Sequence, residues 1–265
     1  MDKKANLFLC ELYQRMPISE SHPYFNLSPD QLYQRYRFLF EFYEDNYGDI
    51  LPQKKDMRIL DIGFGFGMFM AYAKRNGFSN IWGVEYNKAQ VDNAAKMGFR
   101  AELISDLSAY LKNNLSGFDL IHASNVVEHF PKYDLIEIFD LFYNALKDNG
   151  RLAVIVPNIA GWRSIYKRYL VLGHESGFSE TSIRQLFQIT HFDNIKVFGS
   201  RIRFRFRIKH IFMRIAQGIF DIIIGIIDYV YLGVNRPRHL GQCLVGIGVK
   251  AGRGCGGICF ARNKK

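Results

Sequence analysis

The chain has 265 residues, 48% hydrophobic and 23% charged, and carries a net charge of +10. These proportions exclude a disordered chain and a small disulfide-stapled scaffold, and the length suits one large domain or one domain with additions. The charge is uneven: residues 1–199 hold 22 basic and 23 acidic side chains, whereas residues 200–265 hold 13 basic and 2 acidic, a net of +11. An anionic partner is expected for that last quarter: nucleic acid, a membrane surface or a phosphorylated substrate.

In chain order, Lys3 and Lys4 precede an apolar run, Ala5–Cys10, that Glu11 breaks. No secretory signal is expected, and a cytoplasmic, reducing location is. Ser28-Pro29-Asp30 predicts a helix start, with Ser28 at the cap and Pro29 in the first turn. An aromatic-rich segment follows to about Tyr47, and Pro52 ends it. The texture then changes. Strands are predicted at Arg58–Ile62, Ile81–Glu85, Ala101–Ile104, Phe118–Ala123 and Arg151–Val156. Helices are predicted at Met68–Asn76, closed by Gly77, at Lys88–Met97, closed by Gly98, and at Tyr133–Lys147. This alternation implies a parallel sheet with helices on both faces, and ligands of such sheets sit at the carboxyl ends of the strands.

The first strand runs into Asp61-Ile62-Gly63-Phe64-Gly65-Phe66-Gly67. Alternating glycines let the backbone turn tightly and approach a ligand. The dinucleotide fingerprint fails, because Met68 stands at its last glycine, and no Gly-Lys-Ser/Thr completes a phosphate loop. Glu85, ending the second strand, is placed to accept hydrogen bonds from two ribose hydroxyls. Asp106 follows the third strand, where it could hold an adenine amino group. Of the four cysteines, Cys10 and Cys243 stand alone, and Cys255 and Cys259 lack a second pair. No metal site is expected.

On these residues the chain resembles the class I S-adenosylmethionine-dependent methyltransferases of the small-molecule branch. Asp61–Gly67 looks like their first motif, Glu85 like their ribose-binding acid and Ser105-Asp106-Leu107 like their adenine-side motif. Ser124–Phe130 resembles the segment after the fourth strand, which often carries a Glu-His pair, here Glu128 and His129. His174 with Phe178-Ser179 and a helix at Arg184–Phe192 looks like a later part of that branch. The resemblance implies a Rossmann-like, doubly wound, seven-stranded α/β sheet. A sixth strand lies near Ile195–Val197, and Cys243–Lys250 is the antiparallel last strand. It implies S-adenosyl-L-methionine as cofactor, held by Asp61, Gly63, Phe64, Gly65, Gly67, Glu85, Tyr86, Asp106, Leu107, Ser124, Asn125 and Glu128. The sulfonium methyl is already electrophilic, so the enzyme chiefly positions a nucleophile, from which an oxygen must lose a proton. His129 and His174 are the candidate bases; the alternative for each is a histidine that orders its loop.

Arg201–Ile208 alternates strictly, which predicts a strand with Arg201, Arg203, Arg205 and Arg207 on one face. An edge strand guarded by charge is the plain reading. Ile211–Val234 is predicted helical, with His210, Arg214, Gln217, Asp221 and Asp228 forming one narrow polar stripe. Its wide apolar surface must be covered by the domain itself, by a second copy or by a membrane surface. The resulting organisation is a helical cap (1–52), a cofactor-binding core (53–200), a basic and apolar insertion (201–238), the last strand (239–250) and a flexible tail (251–265).

Methyl transfer to a small-molecule or lipid-linked glycan acceptor, at an anionic membrane surface on the inner face of the cell membrane, accounts for both features. Two alternatives stand beside it. One is an RNA methyltransferase using the basic end, against which Ser124–Val127 lacks the Asp/Asn-Pro-Pro-Tyr sequence of amino-group methylation. The other is a binding protein that keeps the fold without catalysis.

Overall fold

The computed structural model describes residues 3–15, 22–48, 51, 54–161, 171–201, 207–232 and 241–252. Seven strands form one sheet: β1 (Ile59–Ile62), β2 (Ile81–Glu85), β3 (Arg100–Leu103), β4 (Phe118–Ser124), β5 (Leu146–Pro157), β6 (Phe192–Gly199) and β7 (Cys243–Lys250). Their order is β3-β2-β1-β4-β5-β7-β6. The pairs from β3 through β5 are parallel, and β7 runs antiparallel to both β5 and β6. This is the Rossmann-like methyltransferase arrangement expected from the sequence.

Apolar side chains on both faces bury the central strands, as parallel sheets require. On one face Leu60, Ile62, Ile121, Leu152 and Val154 share a core with helices α6 (Leu107–Lys112), α7 (Leu135–Ala145) and α8 (Glu180–Ile189). On the other, Ile59, Leu120, Ala153 and Ile155 meet α2 (Pro29–Arg35), α3 (Arg37–Tyr47), α4 (Met68–Arg75) and α5 (Lys88–Lys96). Helix α4 is buried from Met68 through Ala73, because α2 and α3 cover the side that the sheet does not.

Ser28 makes the expected helix start. Its hydroxyl accepts from the Gln31 amide, and the Gln31 side chain accepts from the Ser28 amide, a reciprocal capping box with Pro29 in the first turn. The aromatic segment breaks at Tyr36 (φ −126°, ψ 38°), so α2 and α3 are separate helices. Residues Ile81–Glu85 and Cys243–Lys250 are strands over the predicted bounds, and the sixth strand is longer than its predicted centre.

Three expectations need correction. Helix α7 stops at Ala145, and Leu146 opens β5, where it pairs with Phe118. Helix α8 starts at Glu180 under a Ser179 cap and ends at Ile189, so Phe192 belongs to β6 and not to the helix. The arginine stripe is not one strand through Ile208: Arg207 begins α9 (Arg207–Leu232), while residues 202–206 lie outside the described residues. The tail from 253, with Cys255 and Cys259, also lies outside them.

Helix α1 (Lys3–Arg15) buries Leu9 in the first of the two cores. The end of β6 is tied back to α3, where Asn46 and the Arg201 backbone exchange two hydrogen bonds of 2.9 Å.

Candidate active site

A cavity of ≈ 260 Å³ opens at the carboxyl ends of β1, β2 and β4. Its floor is Ile62, Gly63, Gly65, Val84 and Glu85, one wall is Tyr86, Ile104 and Leu107, and the other is Ser124, Asn125, Val126, His129 and Phe130. Leu9 and Tyr13 of α1 close it from above.

The glycine turn after β1 has physical reasons to be glycine. Gly63 has φ +61°, and a Cβ there would stand 2.7 Å from Val126 Cγ2. The two phenylalanines between the glycines serve as packing. Phe64 is buried against Gly83 of β2, where an added Cβ would come within 2.5 Å of its ring. Phe66 stacks on His22 with ring centroids 4.2 Å apart and so anchors the segment before α2.

Glu85 is aimed into the cavity by backbone donors. One carboxylate oxygen accepts from the Tyr86 amide at 2.7 Å and the other from the Gly65 amide at 3.1 Å. Burial raises its pKa, and those N–H groups pull it back. A fixed carboxylate with lone pairs to spare suits a vicinal diol. The Tyr86 hydroxyl accepts from the Leu107 amide, which joins the second and third strand ends. Asn125 turns the chain after β4 in the left-handed region (φ 53°), a conformation that asparagine tolerates.

Of the residues assigned to the cofactor, Asp61, Phe64, Gly67, Asp106 and Glu128 are not among those that line the cavity. Asp106 caps α6, with one oxygen accepting from the Ser108 and Ala109 amides, and it is not among the cavity's lining residues. Asp61 points to the opposite face of the sheet, where its Oδ1 lies 2.6 Å from His122 Nδ1. His122 stacks on Phe69 and meets the Tyr47 hydroxyl at 3.2 Å through Nε2. Burial raises the Asp61 pKa and His122 opposes that rise.

Beside the cavity the 3₁₀ turn Val127–His129 holds the Glu-His pair, of which His129 lines the cavity and Glu128 lies behind it. His129 Nδ1 lies 2.8 Å from the Gly173 carbonyl, so Nδ1 carries the proton. Nε2 then accepts from the Tyr13 hydroxyl at 2.9 Å. Burial lowers the His129 pKa to about 4, and His174 adds to that. Glu128 is fully buried, and burial raises its pKa to about 8. His174 stands with Nε2 4.0 Å from Glu128 Oε1, its ring 4.9 Å from that of His129. Both candidate bases are therefore together, but His129 is a neutral hydrogen-bond acceptor with little basicity. The sequence reading missed Tyr13 and Leu9. Their four-residue spacing on one face of α1 was the available signal.

Similarity to known proteins agrees with this geometry. A methyltransferase from Archaeoglobus fulgidus superposes with a TM-score of 0.58 at 20% identity, over 83% of this chain and 98% of that one. Phosphoethanolamine N-methyltransferase 2 from Haemonchus contortus, solved with phosphomonomethylethanolamine and S-adenosylhomocysteine, gives 0.54 at 16% identity, over 85% of this chain and 60% of that one. At these identities the likeness is one of fold. A rice (Oryza sativa subsp. japonica) 24-methylenesterol C-methyltransferase 2 is 27% identical over 132 residues, 48% of this chain, and the match spans only 36% of that relative's length. The sequence pattern of a methyltransferase domain matches residues 33–197, more than half of the 265. The chain therefore belongs to that family, the class I S-adenosylmethionine-dependent methyltransferases.

Proposed function

We propose that the enzyme methylates a hydroxyl oxygen of a small-molecule or lipid-linked saccharide acceptor, and that α9 rests on an anionic membrane surface while it does so. The observation that carries this reading is the surface of α9. Its 26 residues extend about 39 Å. Ile211, Phe212, Ile215, Ile219, Ile222, Ile223, Ile226, Tyr229 and Val230 are all exposed. Projected at 100° per residue, they cover about a third of the helix circumference. A patch of this size marks an interaction surface. No helix among the described residues is long and apolar enough to cross a membrane, so a position in the membrane plane is the fitting one. The sequence sets Arg201, Arg203, Arg205, Arg207 and Lys209 before this face and Arg236 and Arg238 after it, where anionic headgroups would lie.

The assignment to oxygen rests on Tyr13 and His129. The phenol donates to the imidazole and keeps oxygen lone pairs for an incoming hydroxyl. With His129 neutral at pH 7, the pair orients the acceptor toward the cofactor methyl; the oxygen–carbon bond forms as the carbon–sulfur bond breaks, S-adenosylhomocysteine leaves, and the hydroxyl proton passes to solvent water.

The test supplies labelled S-adenosylmethionine to the enzyme with extracted lipid, RNA and small-molecule fractions, alongside flotation on anionic liposomes. Label in a glycolipid or soluble sugar fraction is expected. Flotation should be lost in the Ile219→Asp, Ile223→Asp double variant. Label confined to RNA, or flotation equal in the double variant, contradicts the reading.

A further inference from the structure

Glu128 is a buried acid without a hydrogen-bond partner for either carboxylate oxygen among the described residues. In its ionised form such a group is costly to bury unless something positive reaches it. Beside it stand two imidazoles. One ligand atom each from Glu128, His129 and His174 lies within 4.8 Å of the others. Two ligands of one tetrahedral zinc ion are about 3.3 Å apart, so small side-chain rotations close the set.

We propose that Glu128, His129 and His174 form a binding site for a divalent transition-metal ion, with zinc the fitting representative, beside the cavity wall to which His129 belongs. Two imidazoles and one carboxylate are the donors such ions prefer, and three protein ligands leave a position open for an acceptor oxygen. The surroundings have the form that metal-bound histidines need. The Gly173 carbonyl takes the Nδ1 proton of His129, which fixes the ring and turns the Nε2 lone pair outward. The Glu175 and Ser176 amides both donate to the Glu128 carbonyl at 2.9 Å, and the Ser176 hydroxyl donates to the Phe130 carbonyl at 2.7 Å. These bonds hold the His174 segment against the 3₁₀ turn. Tyr13 now occupies His129 Nε2, so the ion and that hydrogen bond are alternatives. Metal entry would release the phenol into the cavity.

The ion is read directly, whether or not the acceptor named above is right. The full chain, with Cys255→Ser and Cys259→Ser to remove competing thiols, is stripped with chelator and titrated with Co²⁺ and then Zn²⁺. One Co²⁺ per chain, with visible absorption bands that Zn²⁺ abolishes, is expected. Glu128→Gln and His174→Ala should each weaken binding roughly 100-fold. Glu128→Gln keeps the volume of the side chain, and His174 is partly exposed, so His174→Ala decides if the first variant does not fold. Absence of stoichiometric Co²⁺ binding by the parent, or equal affinity in a folded variant, overturns the proposal.

Discussion

The molecule holds two acid–imidazole pairs on opposite sides of one sheet, one wholly buried and one with a partly exposed imidazole, and they are built differently. Asp61 and His122, each 2% exposed, are 2.6 Å apart, and Phe69 and Tyr47 hold the imidazole from its face and from Nε2. Glu128 and His174 are 4.0 Å apart, and the carboxylate has no hydrogen bond among the described residues. The first pair adjoins α3 and α4 and is sealed from the cavity. The second adjoins the cavity wall. The closed pair spends one carboxylate oxygen on the imidazole of the neighbouring strand, whereas in the open one neither carboxylate oxygen accepts a hydrogen bond among the described residues. Residue type alone does not separate the two.

The largest effect should come from breaking the closed pair. His122→Phe keeps the ring on Phe69 but leaves Asp61 alone, and urea unfolding should show a loss of about 3–5 kcal/mol. A loss below about 1 kcal/mol would mean that the pair is not what holds this face. On the cavity face, Glu85→Gln should spare stability and weaken S-adenosylmethionine binding roughly 10–100-fold, read by calorimetry, since charged hydrogen bonds contribute about 1.5–3 kcal/mol. Tyr13→Phe removes one hydrogen bond to His129, and kcat/KM should fall by about fivefold, equivalent to about 1 kcal/mol. Unfolding stability should move least in Glu128→Gln. It replaces a carboxyl that burial already holds mostly protonated at pH 7 and that has no hydrogen bond among the described residues, so a change within about 1 kcal/mol is expected, in contrast to His122→Phe.

Much of the sheet was legible because its cues are local. Runs rich in Ile, Val and Leu mark β1, β2 and β7, the first running into a glycine and the second ending in an acid, and the glycine turn with Glu85 marks the cavity floor. Gly63, Gly65, Glu85, Tyr86, Leu107, Ser124 and Asn125 line the cavity as the sequence suggested. What stayed hidden depends on distant partners. Tyr13 meets His129 across 116 positions, and Tyr47 meets His122 across 75. Neither contact has a periodic signature. Asp61 shares a motif with Gly63 yet faces the other side, because successive side chains of a strand alternate. Asp106 followed a strand, but also preceded a helix, and the helix amides claimed its oxygen. Near Arg207 a two-residue alternation met a helical pattern, and the helix prevailed at least from that residue onward.

The glycine turn and Glu85 are the site we propose for S-adenosylmethionine. Gly65 lines the cavity at φ +56°, so an arginine there is both strained and in the way of the ligand. Isothermal titration of S-adenosylmethionine into the parent protein and into folded Gly65→Arg tests the claim most directly. The account predicts one site per parent chain and no measurable heat from the variant. No binding by the parent, or the same affinity in both, would contradict it.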